Sequence, residues 1–592
     1  MNFATDGSKH MKVILSMMLV AALATTAFAQ RLSTAIRLNQ IGFYPNSPKI
    51  AVVCDNAPDA VFYLKKTGLE GIAYQGKLSA PRIHHLSQKA TRIADFSDFQ
   101  ETGTYIVEVP SMGISHPFEI KKKIHEPVAI AVLKGFYFQR VSVELPERYA
   151  GKWHRPAGHP DDKVLVHASA ASRARPAGAV IASPMGWYDA GDYNKYIVNS
   201  GITMGTLMSL YEDFPAFCKT LKTNIPESGN ALPDLLDEVL WNLRWMLTMQ
   251  DPDDGGVYHK LTNAEFDGMN LMPHQAVKTR YVVQKSTTAT LDFAAVMAQA
   301  ARIFREFETQ LPGLADSCLL AAEAAWGWAT LYPDVQYDQK AMNTQYDPDV
   351  NTGAYGDAEA ADEWLWAAAE LYLTTKNYTY YQTVVFFRNA DLSVPDWSDV
   401  EALASYSLLR HQKLLEAPYD SDVPEFKARI IRLADNLIQD VEKHAYQTVM
   451  GKTAKDFVWG SSAHAANQGI LLVQAYLLTN DRKYLHHALG NLDYLLGRNA
   501  TGYSYLTGFG DKTPMHPHHR PSVADGIPEP VPGLLSGGPN PNQQDKCTTY
   551  PSRIPDESFT DDDCSYASNE IAINWNAPLV YLAVALEALL GE

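Results

Sequence analysis

Residues 186–200 read GWYDAGDYNKYIVNS. Asp189 and Asp192 stand three apart with Gly191 between them, and Trp187, Tyr188, Tyr193 and Tyr196 crowd both sides. Two readings are open. In one, this is an Asp-rich turn before a helix and the rings are core. In the other, the aspartates are a catalytic pair on a floor of rings onto which sugars stack.

Working outward, helical periodicity dominates. In 233–247, Leu235, Leu236, Val239, Leu240, Leu243 and Leu247 form one stripe, with Asp234, Asp237 and Glu238 in the first turn. Similar stripes near 199–213, 286–307, 315–331, 360–375, 399–414, 424–443, 464–480, 483–496 and 568–590 bring the count to about ten helices. Long polar loops at alternate junctions predict an α-helical toroid whose loops build a cleft on one face. The largest loops span 251–285 and 501–563, and loops of about 30 residues are unusual unless functional.

The front of the chain differs. IRLNQIGFYP, KIAVVCD, AVFYLKK, GTYIVEVP and HPFEI, within residues 34–120, are short, β-branched or aromatic runs separated by turn residues. They predict a small β-sandwich. Earlier still, Lys12, the apolar run 13–24 and the small-x-small end at Ala27 and Ala29 predict a secretory signal cut after Ala29. The run is shorter than the ~20 residues that span a bilayer, no later apolar run reaches that length, and no membrane span is expected.

The formal net charge of -17 opposes nucleic acid or an anionic membrane as partner and is indifferent to a neutral polysaccharide. Five cysteines exclude a disulfide scaffold. Cys547 and Cys564 are close enough to close a small loop, and Cys54, Cys218 and Cys318 read as buried thiols.

Two further clusters carry chemistry. SYLTGFGDKTPMHPHHR (504–520) ends in His516, His518, His519 and Arg520. A metal site there lacks a carboxylate or cysteine partner and has a cation beside it, so a hydrogen-bonding wall for sugar hydroxyls fits better. SFTDDDCSYASNEIAINWNAPLVYL (558–582) sets Asp561, Asp562 and Asp563 ahead of Tyr566 and Glu570 at the start of an apolar helix. A helix N-terminus lowers a carboxyl pKa, whereas a general acid needs it raised by burial or neighbouring carboxylates.

Together the three clusters resemble glycoside hydrolase family 9, the inverting endo-β-1,4-glucanases. GWYDAGDYNKYIVNSG matches its DAGD segment. Ser504, Leu506, Thr507, Gly510, Lys512, Pro517, His518 and Arg520 fall on its histidine signature, and Phe559, Asp561, Tyr566, Glu570, Ala572, Asn576 and Ala577 on its acidic one. The front of the chain looks like the Ig-like module of one family branch. The resemblance implies a mainly α fold, an (α/α)6 barrel over 123–592 behind an Ig-like sandwich over 30–122 and the signal over 1–29. It makes Asp192 the general base, Asp189 its partner in holding the water and Glu570 the general acid. His518 and Arg520 then bind sugar, Asp561 belongs to the active site, and Tyr566 contacts sugar or shapes the acid's pocket. Inverting enzymes hold base and acid ~6.5–9.5 Å apart, so the two must come from distant segments.

The same resemblance bears on metals. Relatives in this branch often bind a structural zinc before DAGD through two Cys and two His. Here His159 remains but no Cys lies between 125 and 192, so no zinc is expected. NTGAYGDAEAADEWLWAAAELY (351–372) resembles the family's calcium loop, with Thr352, Gly353, Asp362 and Glu363 as ligands and Asp357 as an extra one. Helix capping by the same acids is the plainer alternative. No organic cofactor is expected. Tyr258, His259 and Trp397 are further candidates for substrate contact. The expected partner is a β-1,4-glucan: cellulose, xyloglucan or mixed-linkage glucan. An inactive glucan-binding protein is disfavoured by the presence of all three carboxylates, and a lyase by the acidic charge.

Overall fold

The computed structural model describes residues 31–591 apart from 56 and 388–390; the expected signal at 1–29 lies outside the described residues. Ten strands precede the first long helix: β1 Ile36–Arg37, β2 Gly42–Phe43, β3 Ile50–Cys54, β4 Val61–Lys66, β5 Tyr74–Lys77, β6 Arg82–Ile83, β7 Ala90–Asp95, β8 Gly103–Val109, β9 Gly113–Ile114 and β10 Phe118–Ile120. They form two facing sheets, ordered β1-β3-β7-β6 and β2-β10-β8-β4-β5, with β9 on β8. Phe43, Val53, Phe62, Leu64, Phe96, Val107 and Phe118 fill the space between them. In β8, Tyr105, Val107 and Val109 are buried and Glu108 is partly exposed, while Ile106 on the opposite face is buried as well. Strands β5, β6, β7 and β9 escaped the sequence reading, because runs such as ATRIAD mix charge and small residues without a clean period.

Twelve helices of ten residues or more follow among the described residues: α1 Glu126–Phe138, α2 Ile197–Asp213, α3 Asp234–Thr248, α4 Thr287–Phe304, α5 Leu314–Leu331, α6 Ala361–Thr375, α7 Tyr378–Phe387, α8 Glu401–Arg410, α9 Val423–Ile438, α10 Ser461–Thr479, α11 Arg482–Leu495 and α12 Ile573–Leu590. They alternate outer and inner. The inner helices α2, α4, α6 and α8 pack in succession, α9 bridges α8 to α10, α10 packs on α12, and α12 returns to α2. Composition separates the rings. Outer helix α9 buries Phe426, Arg429, Ile430 and Ala434, a single stripe. Inner helix α4 buries all but one of its residues, and α12 is apolar all round. Alone among the described helices, α12 is long and apolar enough to cross a membrane, yet most of it is buried as barrel wall.

Two helices were missed from sequence. EPVAIAVLKGFYF (α1) is too uniformly apolar to show a stripe, and YTYYQTVVFF (α7) has the aromatic and β-branched content of a strand. The loops also carry an unexpected sheet, β12-β11-β15-β14-β13, from β11 Val164–Val166, β12 Val180–Ile181, β13 Lys195–Tyr196, β14 Lys260–Asn263 and β15 Arg280–Val282. Cys547 and Cys564 form a disulfide, and Cys54, Cys218 and Cys318 are buried thiols.

The sandwich is keyed into the barrel by residues 39–44. Asn39 Nδ2 donates to Asp493 Oδ1 of α11 (2.8 Å), and Tyr44 Oη donates to Glu587 Oε2 of α12 (2.8 Å). The Gln40 side chain accepts from Lys512 N and donates to Gly502 O. Asn39→Ala leaves the buried Asp493 short of a donor. It is expected to cost about 1–3 kcal/mol in chemical denaturation and to destabilise sandwich and barrel in one transition; an early, separate sandwich transition would contradict this.

Candidate active site

The inner helices present their N-termini to one face. Asp189 and Asp192 precede α2, Tyr355 precedes α6, Trp397 precedes α8, Trp459 precedes α10 and Glu570 precedes α12. Contacts tie these ends together: Asp189 O accepts from Ile573 N (2.8 Å), and Ser462 N donates to Gly537 O beside Glu570. Helix N-termini are electropositive, so this face suits carboxylates.

Asp189 is fully enclosed. Its Oδ1 accepts from Asn199 Nδ2 (2.6 Å) and its Oδ2 from Tyr355 Oη (2.9 Å). Burial, then the Asp192 charge, push its carboxyl up to about 8. Asp192 Oδ2 accepts from the backbone and side chain of Asn194, which β14 holds through Thr262 and Asn263. The Asp192 carboxylate therefore keeps one oxygen outside this clamp.

Gly191 explains the spacing of the motif. A Cβ there would lie 1.9 Å from His518 O, so only glycine admits the close approach of the histidine loop. Arg520 N and Nη1 both donate to Gly191 O (3.1 and 2.8 Å), and Arg520 Nε to Asp267 O (2.9 Å). His518 N donates to Asn569 O, and His518 pairs with Glu570 as a backbone bridge. The DAGD turn, the histidine loop and Glu570 are thus stitched side by side through main chain.

Glu570 is partly exposed at the cleft floor, with its carboxyl surrounded by protein. Burial and the Asp192 charge hold it well above the usual range, with Asp189 adding to this, against Arg520 and the Gly191 amide. Its carboxyl therefore holds a proton to higher pH than an ordinary glutamate does. His518 Nδ1–H donates to Asp563 O (2.6 Å), which leaves Nε2 as an acceptor; burial lowers its pKa, so the ring is neutral.

Several expectations change. Trp187, Tyr188, Tyr193 and Tyr196 are fully buried core and not a stacking floor. Tyr258 is also buried, its hydroxyl on Asp251, and His259 bridges Ser286 and Ala354 O while stacked on Tyr337. Neither reaches substrate; His259 instead props the loop that carries Tyr355. Two donors of Arg520 go to backbone carbonyls, so it positions Gly191 rather than gripping sugar with them. Asp561 accepts from Met515 N, His516 N and Asn569 Nδ2, which makes it a strut of the histidine loop. Of the three histidines, His519 is buried against Gln139 and Ser522, and His518 is the one bridged to Glu570.

Trp397 stands edge-on to Tyr355, with centroids 5.3 Å apart, at the cleft edge. Tyr566 lies between His518 (5.9 Å) and Trp459 (5.4 Å). Trp459 is 44% exposed and offers the open ring face that the DAGD rings do not. Sequence reading passed over Trp459 and Tyr355. Their signal was position, each lying just ahead of an inner helix. Tyr355 also adopts a φ of 47°, backbone strain of the kind held at functional sites.

The expected calcium ligands separate. Lys260 Nζ already occupies Thr352 Oγ1 (3.0 Å) and Gly353 O (2.6 Å), so a cation there would have to displace it. Asp362 Oδ2 accepts from Val400 N at the entry to α8. Glu363 and Asp292 are buried with no donor to either carboxyl oxygen, as is Asp357 Oδ2. Burial and mutual repulsion raise the Glu363 and Asp292 pKa values strongly. Such a cluster requires protons or a cation to neutralise it. Ahead of DAGD, His159 Nδ1 meets Tyr188 Oη (2.8 Å), and Asp161 pairs with Lys195 and Arg280; these contacts brace the segment.

A family model described as "Glycosyl hydrolase family 9" matches residues 127–583, and one for a "Cellulase N-terminal ig-like domain" matches 31–113. The chain is 47% identical to a xyloglucan-specific endo-β-1,4-glucanase of Bacteroides ovatus over 97% of both chains. It is 34% identical to endoglucanase D of Acetivibrio thermocellus, covering 92% of this chain and 82% of that one. A solved Bacteroides ovatus GH9 structure superposes with a TM-score of 0.89 at 46% identity, covering 94% of this chain and 99% of that one.

Gly191→Ala tests the stitching. Forcing the histidine loop away by even ~1 Å is expected to lower kcat about 100-fold with circular dichroism unchanged; wild-type activity would contradict the packing argument.

Proposed function

The chain belongs to glycoside hydrolase family 9 as an endo-β-1,4-glucanase with an Ig-like module, and from that premise we propose how its own residues perform the hydrolysis. Asp192 takes a proton from water, whose oxygen attacks the anomeric carbon. The bond from that carbon to the bridging oxygen breaks, and Glu570 gives its proton to the departing oxygen. Asp189, held by Asn199 and Tyr355, keeps the water in line with Asp192. The observation that carries this reading is that burial and neighbouring carboxylates drive Glu570 to hold a proton, while Asp192 keeps one oxygen outside its Asn194 clamp to receive the proton of water. Neutral His518 accepts a sugar hydroxyl through Nε2, and Trp459 with Tyr566 forms a stacking platform.

Xyloglucan is the proposed substrate, on the strength of the 47% identical relative of that specificity. The N-terminal run supports export from the cytoplasm. Calcium, in this reading, is held by the carboxylates of Asp292, Asp357, Asp362 and Glu363, where it would lend stability rather than chemistry. Thr352 and Gly353 stay with Lys260.

Proton NMR should show α-configured reducing ends before mutarotation, because attack and departure occur on opposite faces. Glu570→Gln is expected to slow hydrolysis of unactivated glucan ~10²–10⁴-fold, with far less effect on an activated aryl leaving group. Wild-type activity should fall on the alkaline side as Glu570 loses its proton. First-formed β product would overturn the mechanism. Chelation is expected to lower Tm while leaving initial rates of still-folded enzyme nearly unchanged; an unchanged Tm would remove calcium from this reading.

A further inference from the structure

Beyond Tyr355 the same loop runs through Asp357 and Glu359 into α6, and there it walls a pocket of about 240 Å³. The opposite wall is Pro333–Gln336, which follows the outer helix α5, and Thr288 at the start of α4 lines the base. Trp364 also lines it, braced edge-on by Trp326 at 4.8 Å between centroids. The volume is below the ~300–1,000 Å³ of drug-sized sites and suits one ring rather than a chain.

Its chemistry is that of a sugar site. One indole is joined by the carboxylates of Asp334 and Glu359, both acceptors for hydroxyl donors. Asp334 and Glu359 are exposed at the rim, where their oxygens can accept from sugar hydroxyls.

Placement narrows the occupant. The loop that brings Tyr355 to Asp189 continues two residues later as one wall of this pocket, and the other wall comes from the outer ring. That places the pocket beside the acidic site rather than within it. We propose that the pocket receives a xylosyl branch carried on the glucan, and that it sets the preference for branched over linear β-1,4-glucan. The inference rests on the xyloglucan reading above.

Asp334→Ala and Glu359→Ala remove exposed acceptors, and Ala358→Trp fills the space from its exposed wall. Each is expected to lower kcat/KM on xyloglucan about fivefold to tenfold, chiefly through KM. Activity on linear mixed-linkage glucan should stay within about twofold, with Tm unchanged. Equal losses on both polymers, or none on either, would overturn the proposal. If the wild-type enzyme degrades linear glucan but leaves xyloglucan uncut, the substrate reading fails first and the pocket falls with it. If the wild type cuts xyloglucan and the variants match it, the pocket alone is wrong.

Discussion

The site depends on one backbone contact, the seating of Gly191 against the carbonyl of His518. Around it, Arg520 ties its own amide and guanidinium to Gly191 O, and His518 pairs with the Asn569–Glu570 segment. Three segments far apart in sequence thereby become adjacent main-chain strands. Main-chain contacts hold position better than side-chain ones, because no rotamer freedom intervenes. A reaction that needs base and acid at a fixed separation gains from that rigidity.

Electrostatics follow from the same geometry. Drawing Asp189, Asp192 and Glu570 into one enclosed floor raises the cost of each further charge. The protein holds each carboxyl differently: Asn199 and Tyr355 hold Asp189, Asn194 clamps Asp192, and Arg520 tempers Glu570 without cancelling its upward shift. Much of the surrounding polar structure supports this arrangement. His259 props the Ala354 carbonyl beside Tyr355, Lys260 fastens Thr352 and Gly353, and Asp561 and Asp563 fix the histidine loop. The Ig-like sandwich sits outside this network, yet it is joined to α11 and α12 by buried hydrogen bonds, and α12 is the helix that Glu570 precedes.

The order of ring-forming helices was legible where one face alone is buried. The stripe in 424–443 marks α9, because only Phe426, Arg429, Ile430 and Ala434 are buried in that helix and water sees its other side. The acidic and histidine signatures were legible as well, since glycine, proline and clustered charge at fixed offsets have few other uses. Helices α1 and α7 were not, because enclosure from several sides or aromatic content removes the periodic signal. The roles of single residues were harder still. Tyr258, His259 and the DAGD rings look like sugar platforms in a list of residues, and each is enclosed core in the fold.

By itself, then, the sequence determined the architecture, a helical toroid behind a sandwich, and it marked Asp189, Asp192, His518 and Glu570 as candidates that the fold brings side by side. Those conclusions rest on local patterns, which survive in one dimension. Only the tertiary structure decided which neighbours tune and hold them. Tyr355 reaches Asp189 across 166 positions, Lys260 fills the oxygens expected to take calcium, and Trp459 rather than the DAGD rings faces the opening. The physical reason is that burial and charge coupling depend on distance through space, and the closing of α12 onto α2 sets those distances.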